Sequence, residues 1–222
     1  MPNTKTRLLI VDDEPSVRTS LSCVLNEIGY RVRTAEDGLS ALAELRGEVP
    51  DILLSDLNMP GMSGFELLSV VRRRFPTMKT IAMSGMFCGD EVPSGLAADG
   101  FYQKGSSVGS LLRIIDALPQ PERRAHSQST ALEPIWIQQT VDGDPGEAVV
   151  TISCPECLRS FTHACSAANN VVYETHCEYC LGLIHFAMVL SPLQRGDQLP
   201  AKSIQRDRGG NFQAAGVQQN SN

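Results

Sequence analysis

One long stretch of this chain is nearly without basic residues. Between residues 134 and 190, Arg159 stands alone against six acidic side chains. That stretch can neutralise few phosphates, which disfavours nucleic-acid binding there. Long apolar runs are missing too: the longest, 181–190, is interrupted by His185 and is too short to span a bilayer. No secretory signal pattern is present, since Met1-Pro2-Asn3-Thr4-Lys5 leads straight into a strand-like segment. A cytoplasmic location is therefore expected. Cysteine is scarce in the first half, with only Cys23 and Cys88, whereas five of the seven lie between 154 and 180. An odd total, clustered as two Cys-x-x-Cys pairs in such a chain, points to metal ligation rather than disulfides.

What is present suggests two parts. The 222 residues suffice for one large domain or two small ones. Over residues 5–118, strand and helix signals alternate. Strands are expected at 8–11, 30–34, 51–55, 78–83 and 101–103. Helical spacing appears in 16–28, where Val17, Leu21, Val24, Leu25 and Ile28 share a face, and again around Ala41, Leu42 and Leu45. Further helices are expected at 64–75 and 107–118. One more is expected within 88–98, where Pro93 and Gly95 make it short or kinked. The basic run Arg72-Arg73-Arg74 suits a helix end facing solvent. Such alternation gives an α/β fold, a doubly wound five-stranded parallel sheet of the flavodoxin-like kind. Residues 119–134 are rich in Pro, Gln, Ser and charge and read as a linker. A small β-rich domain is expected over 135–190. The tail, 191–222, rich in Gln, Asn, Gly and Arg, is expected to be disordered.

Four of the five expected strands are followed by a polar residue. Asp12 and Asp13 follow the first run, Asp56 the third, Ser84 the fourth and Lys104 the fifth. In a parallel sheet these residues gather at the carboxyl edge, where open α/β sheets bind ligands. Three carboxylates in one pocket repel one another and call for a cation. Any one Asp after a strand could equally be a helix cap or a turn residue; the whole set together is what points to a metal-dependent phosphorylation site.

The elements Val11-Asp12-Asp13-Glu14, Asp56-Leu57-Asn58-Met59-Pro60-Gly61-Met62-Ser63-Gly64, Met83-Ser84-Gly85 and Phe101-Tyr102-Gln103-Lys104 occur in that order. With them, residues 5–118 resemble the receiver domain of two-component response regulators. The resemblance implies that Asp56 accepts a phosphoryl group from a sensor histidine kinase or a phosphotransfer protein. It implies Mg2+ binding by Asp13, Asp56 and the backbone carbonyl of Asn58, with Asp12 acting mainly through water. Ser84 and Lys104 would bind phosphoryl oxygens, and Phe101 would be the aromatic that swings with Ser84. Oxygen ligands suit Mg2+, and phosphoryl transfer needs positioning and charge neutralisation more than covalent chemistry. The chain departs from the family where Gly105, rather than proline, follows Lys104, which is expected to loosen that loop. Pro93 and Gly95 are expected to alter dimerisation through the family's usual signalling face.

Cys154-Pro155-Glu156-Cys157 and Cys177-Glu178-Tyr179-Cys180 are separated by 19 residues. Each pair can form a tight knuckle with two thiolates facing one ion, and two pairs complete a tetrahedral sulfur site suited to Zn2+, with iron as the other candidate. Strands expected at 148–153, 171–176 and 183–189 flank the knuckles, and the whole resembles a zinc ribbon. A closed site of this kind is structural and helps a small domain fold. A redox role for the pairs would require a thioredoxin-like context that is not seen. Cys165 is read as a buried small apolar residue, His163, His176 and His185 as ordinary strand or loop residues, and Trp136, Tyr173, Tyr179 and Phe186 as core packing. The expected protein is a response regulator that is not an enzyme. Its acidic ribbon contacts an output protein, and the alternative is a transcription regulator whose ribbon and basic tail contact DNA.

Overall fold

The apolar runs of the first and third strands are fully buried on both faces, as strands at the centre of a covered parallel sheet must be. The computed structural model describes residues 5–86, 96–118, 134–139, 147–166, 171–190 and 205–206. Its first unit runs β1 (Arg7–Val11), α1 (Pro15–Ile28), β2 (Arg31–Ala35), α2 (Gly38–Gly47), β3 (Ile52–Asp56), α3 (Gly64–Arg74), β4 (Lys79–Ser84), β5 (Gly100–Gln103) and α4 (Val108–Ala117). The strands form one parallel sheet in the order β2-β1-β3-β4-β5. Successive strand residues face opposite sides. Leu8 and Ile10 therefore join a core with Leu25, Leu54 and Leu111, while Leu9 and Val11 join another with Leu42, Leu53 and Leu67.

Local chemistry sets the helix ends. Asp37 and Ser40 form a reciprocal capping box at α2. Ser63 and Ser107 cap α3 and α4 by accepting from the amides of Glu66 and Ser110. Gly29 closes α1 at φ 112°, a left-handed value that favours glycine. The helix expected within 88–98 falls mostly on 87–95, outside the described residues, and 96–99 are not helical. Arg72 is not a solvent-facing charge: its guanidinium lies 2.8 Å from Asp99 and 2.9 Å from the Thr80 hydroxyl, tying α3 to that segment. Among the described residues, no helix is long and apolar enough to cross a membrane.

The cysteine-bearing unit comprises β6 (Ile135–Gln139), β7 (Glu147–Ser153), β8 (Ser160–Ser166), β9 (Val171–His176) and β10 (Leu183–Leu190). β7 and β8 form an antiparallel hairpin around the first knuckle. β9 and β10 form another around the second, and β6 adds in parallel to β10. The expected strands did not include β6, five residues ending on Gln138 and Gln139, or β8, whose Ser160, Thr162, His163 and Ser166 dilute its apolar residues. Residues 119–133 of the expected linker lie outside the described residues. So does the tail, apart from β11 (Gln205–Arg206), which pairs with β9.

The two units share a core. α3 lies against β6, and Ile135, Ile137, Ile152 and Phe186 belong to the same buried cluster as Met62, Leu67, Val70 and Val71. α3 is consequently buried on the side away from its own sheet as well, at Glu66 and Val70.

Candidate functional site

The sheet order reverses on either side of β1, where β2 and β3 pair with it. Open α/β sheets bind ligands at such a point, at the carboxyl ends of the strands. Asp12 and Asp13 emerge from β1 there, and Asp56 closes β3. One oxygen from each lies within 4.8 Å of the others. Asp12 and Asp56 are buried, whereas Asp13 faces solvent. Lys104, just past β5, reaches in with its Nζ 2.8 Å from Asp56 Oδ2 and 2.8 Å from Asp12 Oδ2. Burial pushes the Asp56 carboxyl up, and the Asp12 charge adds to this, while Lys104 opposes it. For Lys104, burial acts against the charge, but the two carboxylates prevail and hold its pKa above the usual range.

The donor set fits a hard divalent cation. It consists of carboxylate oxygens converging at one edge. Asp12 Oδ2 is buried, with the Lys104 ammonium 2.8 Å away as its partner.

Ser84 ends β4 fully buried, and its hydroxyl accepts from the Met86 amide at 3.1 Å. Phe101 pairs with Ala82 across β4 and β5 and is half-buried against the core. The Lys104 amide donates to the Ser84 carbonyl at 2.8 Å, and Gly105 follows at φ 85°. Asn58 sits on the loop after Asp56, its side-chain amide 3.4 Å from Met86 Sδ.

Gly64 closes that loop. A Cβ there would collide with the Asp56 carbonyl oxygen, so no side chain fits without moving β3. Gly64→Ala is expected to cost about 3 kcal/mol, read as a lower urea midpoint. An unchanged midpoint would show that the loop yields.

Residues 8–115 match the family model of the response regulator receiver domain. This part of the chain is a receiver domain. It is 37% identical over 112 residues to the DNA-binding transcriptional regulator NtrC of Salmonella typhimurium, a match covering 50% of this chain and 21% of that protein. It is 33% identical over 93 residues to the probable transcriptional regulatory protein TcrX of Mycobacterium tuberculosis, covering 42% of this chain and 40% of that one. The chain thus matches well under half the length of either relative. Among solved structures it resembles the response regulator TrrA of Thermotoga maritima in complex with Mg2+ and BeF, at 32% identity and a TM-score of 0.48, over 51% of this chain and 99% of that one.

Beyond the receiver, Cys154, Cys157, Cys177 and Cys180 bring their sulfurs within 4.8 Å of one another. Cys154–Cys180 and Cys157–Cys177 are each 3.6 Å apart. A tetrahedral Zn2+ with Zn–S bonds of about 2.3 Å places its sulfurs about 3.8 Å apart, so the thiols are already spaced for such an ion. The knuckle backbones aim amides at the sulfurs, as with the Tyr179 N–H, 3.4 Å from Cys177 Sγ. Burial pushes the Cys154 and Cys157 thiols up. Burial also acts to raise Cys177, but the Cys180 and Tyr179 amides and the neighbouring thiols outweigh it and lower that thiol.

Cys165, His163, His176 and His185 do not join this group. Cys165 packs on Met188, and His185 pairs with Glu174 at 3.0 Å. Phe186 is buried and stacks on Tyr173. Tyr179, expected in the core, is instead 52% exposed, with the Arg159 guanidinium over its ring.

Sequence reasoning missed Glu66. It is 5% exposed, and burial raises its pKa to about 8, with a Ser153 hydrogen bond opposing the rise. Its place in Ser63-Gly64-Phe65-Glu66 reads as an ordinary solvent-facing helix start. Only the packing of the second unit on α3 reveals the burial.

Proposed function

We propose that this protein is a two-component response regulator whose Asp56 takes a phosphoryl group from a sensor histidine kinase or phosphotransfer protein. The observation that carries this reading is Lys104 held 2.8 Å from Asp56, at a sheet edge where three carboxylates converge. An Asp56 carboxylate oxygen bonds to phosphorus as the donor's P–N bond breaks, and the histidine nitrogen leaves with the electron pair. Asp13, Asp56 and the Asn58 carbonyl would hold Mg2+, with Asp12 contributing through water. When bound, Mg2+ supplies positive charge against the carboxylates and the phosphoryl oxygens. Lys104 turns from Asp12 toward the incoming oxygens, and the Ser84 hydroxyl donates to another. Phe101 follows Ser84 and carries the change to the surface around β5 and α4.

Zn2+ at Cys154, Cys157, Cys177 and Cys180 would hold the second unit as a zinc ribbon. Its output is contact with another protein: Tyr179, Leu181 and Leu183 stand exposed together around the second knuckle, Leu181 at 75%. DNA contact is disfavoured, because the lone basic residue of 134–190, Arg159, is engaged with Tyr179. Calorimetric titration with Mg2+ and beryllofluoride tests the acceptor site. The wild type is expected to bind one equivalent. Asp56→Ala is expected to bind none, and Lys104→Ala at least about tenfold more weakly, in line with loss of a charge-assisted contact. Equal binding by Asp56→Ala would contradict the assignment.

A further inference from the structure

The cysteine unit is acidic, and the chain that follows it is basic. Residues 134–190 hold six acidic side chains against Arg159, whereas 191–222 hold Arg195, Lys202, Arg206 and Arg208 against Asp197 and Asp207. The described residues of that basic segment touch the unit. Gln205 and Arg206 form β11, parallel to β9, with Gln205 opposite Val171 and Arg206 opposite Val172. β11 therefore adds to the side of β9 away from β10, at the edge of the sheet. A sheet edge is a ready template for a further strand.

The register of that pair sets where the next residues fall. Opposed residues share a face of the sheet, and successive ones alternate. Continued by two steps, the ladder puts Asp207 beside Tyr173 and Arg208 beside Glu174; Gly209 and Gly210 then come beside Thr175 and His176. Glu174 is exposed, and its antiparallel partner on β10, His185, holds its carboxylate at 3.0 Å. Arg208 would reach the same carboxylate from the other flank, and a carboxylate accepts several such bonds. His176 stands opposite Leu183, and Leu183, Leu181 and Tyr179 are exposed at the second knuckle. Phe212 lies two residues past Gly210, about 7 Å further along an extended chain. By alternation it shares a face with Arg206 and Arg208, the face that carries Glu174, His176 and Leu183.

We propose that residues 205–212 are an intramolecular strand on the β9 edge, anchored by Arg208 on Glu174 and by Phe212 on the apolar patch of the second knuckle. Three observations favour this occupant. β11 already fixes the register, the net charge of the segment complements that of the unit, and its arginine and aromatic recur where the edge offers a carboxylate and exposed leucines. Main-chain bonds supply the affinity of such an added strand, and alternate side chains supply its specificity. A protein that reads Tyr179, Leu181 and Leu183 then meets this segment lying across them. Arg206 and Arg208 are spent on the acidic unit rather than on phosphates. The proposal needs neither the acceptor role of Asp56 nor the output reading of the patch.

Amide hydrogen exchange over residues 173–176, followed by mass spectrometry, tests it by comparing the full chain with one ending at Ile204. The full chain is expected to exchange there at least about tenfold more slowly, the effect of a few added ladder bonds. Arg208→Glu and Phe212→Ala are each expected to remove most of that protection. Joining Arg208→Glu to Glu174→Arg is expected to restore part of it, a rescue that general loosening of the unit would not give. Protection in the wild type is also expected to weaken with added salt, and to be independent of chain concentration in a monomer verified by sedimentation. Equal exchange in the full and shortened chains would overturn the proposal. Protection lost on shortening but kept in both single variants would overturn the two anchors. Protection found only in a dimer would assign the edge to the tail of a second copy and overturn the intramolecular strand.

Discussion

Cys154→Ser is expected to unfold the cysteine-bearing unit, as is removal of the proposed zinc by a strong chelator. Residues 135–190 are few, and a unit of that size buries too small a fraction of its surface to be secure alone. Two of the four cysteines, Cys154 and Cys177, are fully buried, one in the turn of each hairpin. Structural zinc in small domains contributes on the order of 10 kcal/mol of binding free energy, comparable with the whole stability of a domain, about 5–15 kcal/mol. The loss would be felt across the shared core, since Ile135, Ile137 and Phe186 would leave α3 and expose Val70. Near-ultraviolet circular dichroism of the full chain measures this through Trp136. The expected result is loss of that signal with release of one zinc per chain, and protease sensitivity confined to residues beyond 118. A signal that persists in the metal-free Cys154→Ser protein would show that apolar packing alone sustains the unit.

Glu66→Gln is expected to stabilise the protein at neutral pH, the reverse of what most changes to a buried residue do. Burial is the main cause of the rise in the Glu66 pKa from its ordinary 4.5 to about 8. The folded protein therefore binds this proton more tightly than the unfolded chain does. The stability linked to it is fully present below pH 4.5 and is lost as the pH rises through about 8. At pH 7 the cost is on the order of 3 kcal/mol. Glutamine keeps the shape without a charge to desolvate. Urea midpoints taken at about pH 5 and about pH 9 are expected to fall steeply in the wild type and much less in Glu66→Gln. Parallel slopes would show that the carboxyl reaches water.

Glu66 also marks where the sequence stops being legible. Four of the five receiver strands, β1, β3, β4 and β5, could be read with their terminal polar residues because each is a short apolar run followed by chemistry the core would not tolerate. Asp12, Asp56, Ser84 and Lys104 stand out by that contrast alone, and the structure brings them to one edge. The cysteine spacing was legible for a similar reason, since two knuckles leave a fixed residue pattern. The docking of one unit on the other leaves no such pattern. Val70 and Glu66 lie four residues apart on α3, a stripe that resembles an ordinary mixed surface until β6 covers it. Arg72 reads as a helix-end charge because Asp99, its partner, lies 27 residues away. Strand β8 interleaves Phe161, His163 and Cys165 with Ser160, Thr162, Ala164 and Ser166, too weak an apolar face to announce a strand, and its pairing with β7 supplies what its own sequence lacks.

The central claim is that Asp56 is the phosphoryl acceptor, and incubation with a small acyl phosphate and Mg2+ tests it most directly. Peptide mass spectrometry of the intact chain is expected to find one added phosphoryl group, labile to hydroxylamine, on the peptide holding Asp56. It should be missing without Mg2+ and in Asp56→Asn. A phosphoryl group on another residue, or none on the wild-type chain, would contradict the account.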